Sequence, residues 1–182
     1  MISGYLNDSN DDGGAGDGTA GAGDGTAGAG AAPAAPGPAN PDTISAVQTA
    51  LGAEYAAVWC YTLVTAFLAN QLQSTAQHDL DLHRARRDAT IRLLADNRVA
   101  PAVAEPAYRT PAPVTDSNSA IRLVLSAEND AASAWHSVIE RCDDPGLRRI
   151  AQDGLTEAAT LGARWSVQLN NNPAVPPFPG RS

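Results

Sequence analysis

"RVAPAVAEPAYRTPAPV", residues 98–114, interrupts a chain that is otherwise patterned for helix. Pro101, Pro106, Pro111 and Pro113 each lack a backbone N–H and fix φ, so the stretch cannot be helical throughout and reads as a long extended connection. On its N-terminal side Ile44, Val47, Leu51, Val58, Tyr61, Leu68 and Leu72 follow a three-four spacing that predicts one helix from about Thr43, with Asp42 as its N-cap. A second helix is predicted from Thr75 to Asn97. On the C-terminal side a third helix starts after Asp116 or Ser117 and carries Ile121, Val124, Leu125, Glu128, Trp135 and Ile139 on one face. A fourth follows "DDPG", with Asp144 as N-cap and Pro145 at the first helical position, and carries Leu147, Ile150, Gly154, Glu157, Leu161 and Trp165.

Four long helices, with short first and last connections and a long middle one, predict an all-α fold. Its topology is that of a ferritin-like four-helix bundle, two antiparallel helix hairpins joined by one long crossover. The two hairpins also resemble each other. "LGAEYAA" (51–57) and "LSAENDA" (125–131) share Leu, Ala, Glu and Ala at a shift of 74 residues. The same shift carries Tyr61 onto Trp135, Asp79 onto Asp153 and His83 onto Glu157.

The bundle is expected over residues 42–170. Before it, residues 1–41 hold 11 of the 16 glycines, four prolines and the heptad "AGDGTAG" twice, which predicts a disordered Gly/Ala/Asp-rich arm. "GDGTAG" matches the glycine spacing of a dinucleotide loop, but no strand precedes it and no helix follows. After the bundle, residues 171–182 read as a Pro-rich tail. The arm contains five aspartates and no base, so it carries −5 of the formal −8, and the rest sets 15 acids against 12 bases. A surface so balanced offers no basic stripe for nucleic acid and no polybasic anchor for lipid. All the bases are Arg, which fits a GC-rich coding sequence. The opening "MISGYLNDSNDDGG" has neither a basic n-region nor an apolar h-region, so neither signal peptide nor membrane anchor is expected and the cytoplasm is the expected location. Cys60 and Cys142 are too few for a disulfide framework, and their separation along antiparallel helices predicts two free thiols.

Charge in the predicted core is the functional signal. Glu54 and Glu128 each occupy a core position of an apolar stripe, and Glu157 does so on the fourth helix, so three of only five glutamates point inward. In "HDLDLHRARRD" (78–88), Asp81, Arg84 and Asp88 fall on the solvent side of a 3.6-residue helix, while Asp79, His83, Arg86 and Arg87 fall on the inward arc. A glutamate on each of two helices facing acid and His groups on the other two is how carboxylate-bridged iron or manganese pairs are built. Glu54, His83, Glu128 and Glu157 are therefore the candidate metal ligands, with Asp79 and Asp153 beside them. Two features oppose that reading. Neither the second nor the fourth helix contains Glu-x-x-His, and a guanidinium cannot ligate a cation and would repel it. The expectation is accordingly a buried ionic network of Glu54, Asp79, His83, Arg86, Arg87 and Glu128, with no cofactor.

"LGAEYAAVWCYTLV", "HRARRD", "YRTPAPVTD" and "AIRLVLSAE" together resemble the uncharacterised ferritin-like domain family of high-GC Gram-positive bacteria, over residues 43–170. The resemblance implies a ferritin-like fold and brings no assigned reaction, so catalytic residues stay unknown.

The leading expectation is a metal-free structural or interaction bundle rather than an enzyme; its alternative is a divergent di-iron or di-manganese protein or oxidoreductase. A third class, a small apolar ligand held between helices, requires a cavity. Trp59, Leu63 and Phe67 lie off the main stripe of the first helix and suggest a second buried face, hence a homodimer. His78 and His136 fall at exposed or edge positions, and no Ser-His-Asp or Cys-His grouping can be argued.

Overall fold

The computed structural model describes residues 40–170 and 178–180. The expected arm over 1–41 lies outside these residues except for Asn40 and Pro41, as does most of the tail over 171–182. Among the described residues there are four helices and no strand: α1 (Pro41–Val64), α2 (Asn70–Asp96), α3 (Ser117–Arg141) and α4 (Pro145–Gln168).

Local chemistry sets the ends. Asn40, not Asp42, caps α1: its side chain accepts the Asp42 N–H at 2.9 Å, and Pro41 takes the first helical position, where a missing N–H costs nothing. α3 begins with a capping box in which Asp116 and Ser119 satisfy one another's backbone. Asp144 caps α4 through the Leu147 N–H at 2.7 Å. The first helix does not run to Leu72. It stops at Val64, and α2 starts at Asn70 with no side-chain cap. No Gly or Pro breaks the chain there; instead Leu68 folds into the core, and the Ala69 N–H is taken by the Ser117 hydroxyl at 3.3 Å. Tertiary contact overrides the helical spacing.

Contacts along the helices give the topology. Thr43 donates to the carbonyl of Arg141, Glu54 meets Trp135, and Tyr61 meets Glu128, so α1 and α3 run antiparallel. Glu54 with His83 and Gln48 with Ala100 set α2 antiparallel to α1. Gly154 lies against Trp135 and Gly162 against Glu128, which sets α4 antiparallel to α3. α2 therefore runs parallel to α3, and the 97–116 connection must travel the length of the bundle. It does so along α1, from Gln48, whose amide binds Ala100 O and Ala102 N at 2.8 Å each, to Trp59, whose ring lies 5.7 Å from that of Tyr108. The arrangement is a ferritin-like four-helix bundle.

That crossover packs on the second apolar face of α1. Tyr108 packs on Trp59 with the two rings tilted by 52°, and Leu63, Phe67 and Val114 pack against one core cluster. Part of that face is thus covered within the chain, and Trp59, Leu63 and Phe67 stay half-buried. Two apolar layers fill the bundle. One is centred on Val64, Leu80, Ile121 and Val124, the other on Val47, Leu51, Leu94 and Val138. Between them lies a buried polar layer.

Candidate functional site: a buried carboxylate, imidazole and guanidinium layer

The polar layer is assembled from two or three residues per helix. α1 supplies Glu54 and Tyr61, seven residues or nearly two turns apart on one face; α2 supplies Asp79, His83 and Arg86 at three-four spacing; α3 supplies Glu128 and Trp135; α4 supplies Glu157, Arg164 and Trp165. Glu54, Asp79 and His83 are fully buried, and Glu128 is 1% exposed.

Glu54 is saturated with donors. Its Oε1 accepts from the Trp135 indole at 2.7 Å and from Arg86 Nη1 at 3.1 Å, and its Oε2 meets His83 Nδ1 at 2.8 Å. Burial works against its charge, but the hydrogen bond from His83 and the positive charges of Arg86 and His83 outweigh it and hold the carboxyl below its ordinary range. His83 bridges to the second glutamate: Nε2 lies 3.0 Å from Glu128 Oε1, which also accepts the Tyr61 hydroxyl at 2.6 Å. A carboxylate only accepts, so an imidazole clasped by two of them must donate from both nitrogens and is held as imidazolium. Burial lowers its pKa, yet the bonds and charges of Glu128 and Glu54 prevail and raise it to about 9. Tyr61 is pushed well upward, by burial and by the charges of Glu128 and Asp79, and stays a neutral donor.

Asp79 forms the second half of the layer. Arg164 Nη2 reaches its Oδ1 at 2.5 Å and the Trp165 indole its Oδ2 at 2.8 Å. Arg86 also pairs with Glu157, so α2 and α4 are joined by long side chains. Four carboxylates thus face three cations, and one buried oxygen, Glu128 Oε2, has no partner.

Small residues make room for the aromatic donors. A Cβ on Gly154 would stand 2.7 Å from Trp135 Cδ2, so only glycine lets that indole lie flat against α4 and reach Glu54.

The structure gathers Glu54, Asp79, His83, Arg86 and Glu128 in one layer, with Glu157 at its edge, 38% exposed at the side chain. It does not gather Arg87 or Asp153. The Arg87 guanidinium instead pairs with its neighbour Asp88 at 2.8 Å, and Asp153 is exposed on the outer face of α4. Arg86 and Arg87 differ by about 100° around the helix, and the inward arc is wide enough for only one. Helical spacing does not single out Arg164 as a member, and it places Tyr61, Trp135 and Trp165 on the helix stripes without assigning their polar tips a role. The polar tip of a buried Tyr or Trp, which needs a partner, was the available signal.

A carboxylate-bridged metal pair does not fit these residues. Both His83 nitrogens are engaged by carboxylates, and Glu54 is shared by an imidazolium, an indole and a guanidinium. Arg86, which cannot deprotonate, lies where a cation would need Glu54 and Glu157 free. Among the described residues no group of three or more His, Cys, Asp or Glu side chains is arranged to hold a metal ion.

Residues 46–182 match the family described as a domain of unknown function (DUF4439). The chain belongs to that family. Among solved structures, this DUF4439 chain is similar to the conserved hypothetical protein rv2844 from Mycobacterium tuberculosis, with 31% identity and a TM-score of 0.68, covering 70% of this chain and 96% of that one. It is also similar to a dodecameric thioferritin, the bacterioferritin-related protein from Bacteroides fragilis, with 17% identity and a TM-score of 0.62, covering 70% and 84%. The second likeness is one of fold. No curated protein matches the chain. Among the described residues of this DUF4439 chain, no helix is long and apolar enough to cross a membrane.

Proposed function

We propose that this DUF4439 chain is a metal-free ferritin-like bundle that serves as a structural or interaction module, its carboxylate, imidazole and guanidinium layer standing where related folds build metal centres. The observation that carries the reading is the double clasp of His83 by Glu54 and Glu128, with Arg86 bridging Glu54 to Glu157. Internal cations satisfy the acids that iron or manganese would otherwise neutralise. The two unpaired, buried thiols support a reducing compartment, in keeping with the cytoplasm.

The rival reading, a divergent iron or manganese protein, is favoured by one observation, the partnerless Glu128 Oε2. Elemental analysis of protein purified without chelator decides between them. Substoichiometric metal that is unchanged in Glu54→Gln and Glu128→Gln supports the network. Stoichiometric iron or manganese lost in both variants overturns it. Self-association, including a homodimer, belongs to the same proposal because a neighbour of the same fold is described as dodecameric. Sedimentation showing only monomer at high micromolar concentration removes that arm and leaves the rest intact.

A further inference from the structure

The pole of the bundle where α1 and α4 begin and α2 and α3 end is hollow. A cavity of about 430 Å³ opens there, bounded by residues of all four helices and by the turn between α3 and α4. That volume lies within the range of small-molecule sites. Its apolar wall is aliphatic, made by Ile44, Val47, Leu93, Leu94, Leu147 and Ile150, with no aromatic ring on the lining. Ile150 belongs to the apolar stripe of α4 and was expected to point into the core. It lines this space instead and remains 44% exposed.

Most of the polar groups on the lining are already engaged. The Thr43 hydroxyl donates to the Arg141 carbonyl, the Asn97 amide donates to the Leu93 carbonyl at 2.8 Å, and the Asp144 carboxylate accepts the Leu147 N–H at 2.7 Å. The Arg141 guanidinium is turned to Ser137. Charges on the lining are of both signs, Arg141 against Asp143 and Asp144. A ligand with an ionised head would lose its hydration and find few vacant partners, whereas an aliphatic one needs none. Flat aromatic ligands would find no ring to stack on.

We propose that this pole cavity binds an uncharged aliphatic molecule, an alkyl or acyl chain of roughly ten carbons by volume. The site is separate from the buried ionic layer and does not depend on how that layer is read.

n-Decanol is the probe. Isothermal titration of the full chain is expected to show saturable binding of one molecule per chain. Ile44→Trp, which fills the cavity from a half-buried wall position, is expected to weaken it by about tenfold or more. Val167→Arg, on the exposed far end of α4, is expected to leave it unchanged. Cys142 lines the cavity and Cys60 belongs to the other core layer, so decanol should slow methanethiosulfonate labelling of Cys142 and not of Cys60. Ile150→Arg, at an already exposed position, is the second variant should Ile44→Trp lose its helical circular dichroism. Absence of saturable binding overturns the proposal, as does undiminished binding in Ile44→Trp or Ile150→Arg when that variant keeps native dichroism. So does equal protection of both thiols.

Discussion

The indole of Trp135 donates to Glu54 Oε1 at 2.7 Å, and Tyr61, its counterpart 74 residues earlier, donates to Glu128 Oε1 at 2.6 Å. Each hairpin's aromatic residue therefore satisfies the other hairpin's glutamate, two nearly symmetric bonds across α1 and α3. Both acceptors are charged and buried, which places these bonds in the stronger class. Trp135→Phe and Tyr61→Phe are each expected to cost about 1.5 to 3 kcal/mol. Denaturant unfolding with an unchanged m-value measures it; a loss below half that range in both variants would mean that shape alone holds the rings.

The ionic layer makes a sharper contrast between adjacent arginines. Arg86→Met strands Glu54 and Glu157 without their shared cation and is expected to cost about 3 to 5 kcal/mol. Arg87→Met breaks only a half-exposed pair with Asp88 and should stay within about 0.5 kcal/mol of wild type. Equal losses in the two variants would place Arg87 in the layer after all.

His83 ties stability to pH. Its folded pKa, about 9, stands above the ordinary 6.5, so the stabilisation from its charged form is complete below pH 6.5 and is lost as pH rises toward 9. The full swing corresponds to roughly 3 kcal/mol, or a fall in Tm of about 10 °C between about pH 6 and about pH 9.5. Below pH 6 the dependence comes from acids such as Glu54, whose depressed pKa contributes stability that is lost as pH falls through its folded value. Thermal melts of wild type against His83→Gln check the alkaline limb. A wild-type slope that persists in the variant would assign the titration elsewhere.

The architecture was legible because prolines and helical spacing are local signals: the four prolines of the crossover and the stripes of α1, α3 and α4 suffice for the topology. The inward glutamates were legible for the same reason, as charges on apolar stripes. What spacing does not carry is how far a long side chain reaches. Arg164 starts from an exposed position of α4 and bends back to Asp79, while Arg87, one position beyond Arg86 and about 100° further round α2, pairs with Asp88. Nor does spacing show where a stripe residue such as Ile150 lines a cavity instead of filling the core. The turn at 65–69 was hidden because its cause, the burial of Leu68 and the Ser117 hydroxyl at Ala69, is distant in sequence.

Two glycines inside helices should respond to the same substitution with opposite signs. At Gly52 a Cβ meets nothing within 4 Å, so Gly52→Ala removes backbone freedom from the unfolded chain and should stabilise by about 0.5 to 1 kcal/mol. At Gly154 a Cβ would fall 2.7 Å from Cδ2 and 2.9 Å from Cε2 of Trp135, a fully buried ring that cannot yield without leaving Glu54. The helical gain is then outweighed by overpacking, and Gly154→Ala should cost about 1 to 3 kcal/mol. Because the displaced indole would forfeit its bond to a charged acceptor, Gly154→Ala combined with Trp135→Phe should lose less than the sum of the two single changes. Strict additivity in that double-mutant cycle would mean that Gly154 acts on something other than the approach of Trp135 to Glu54.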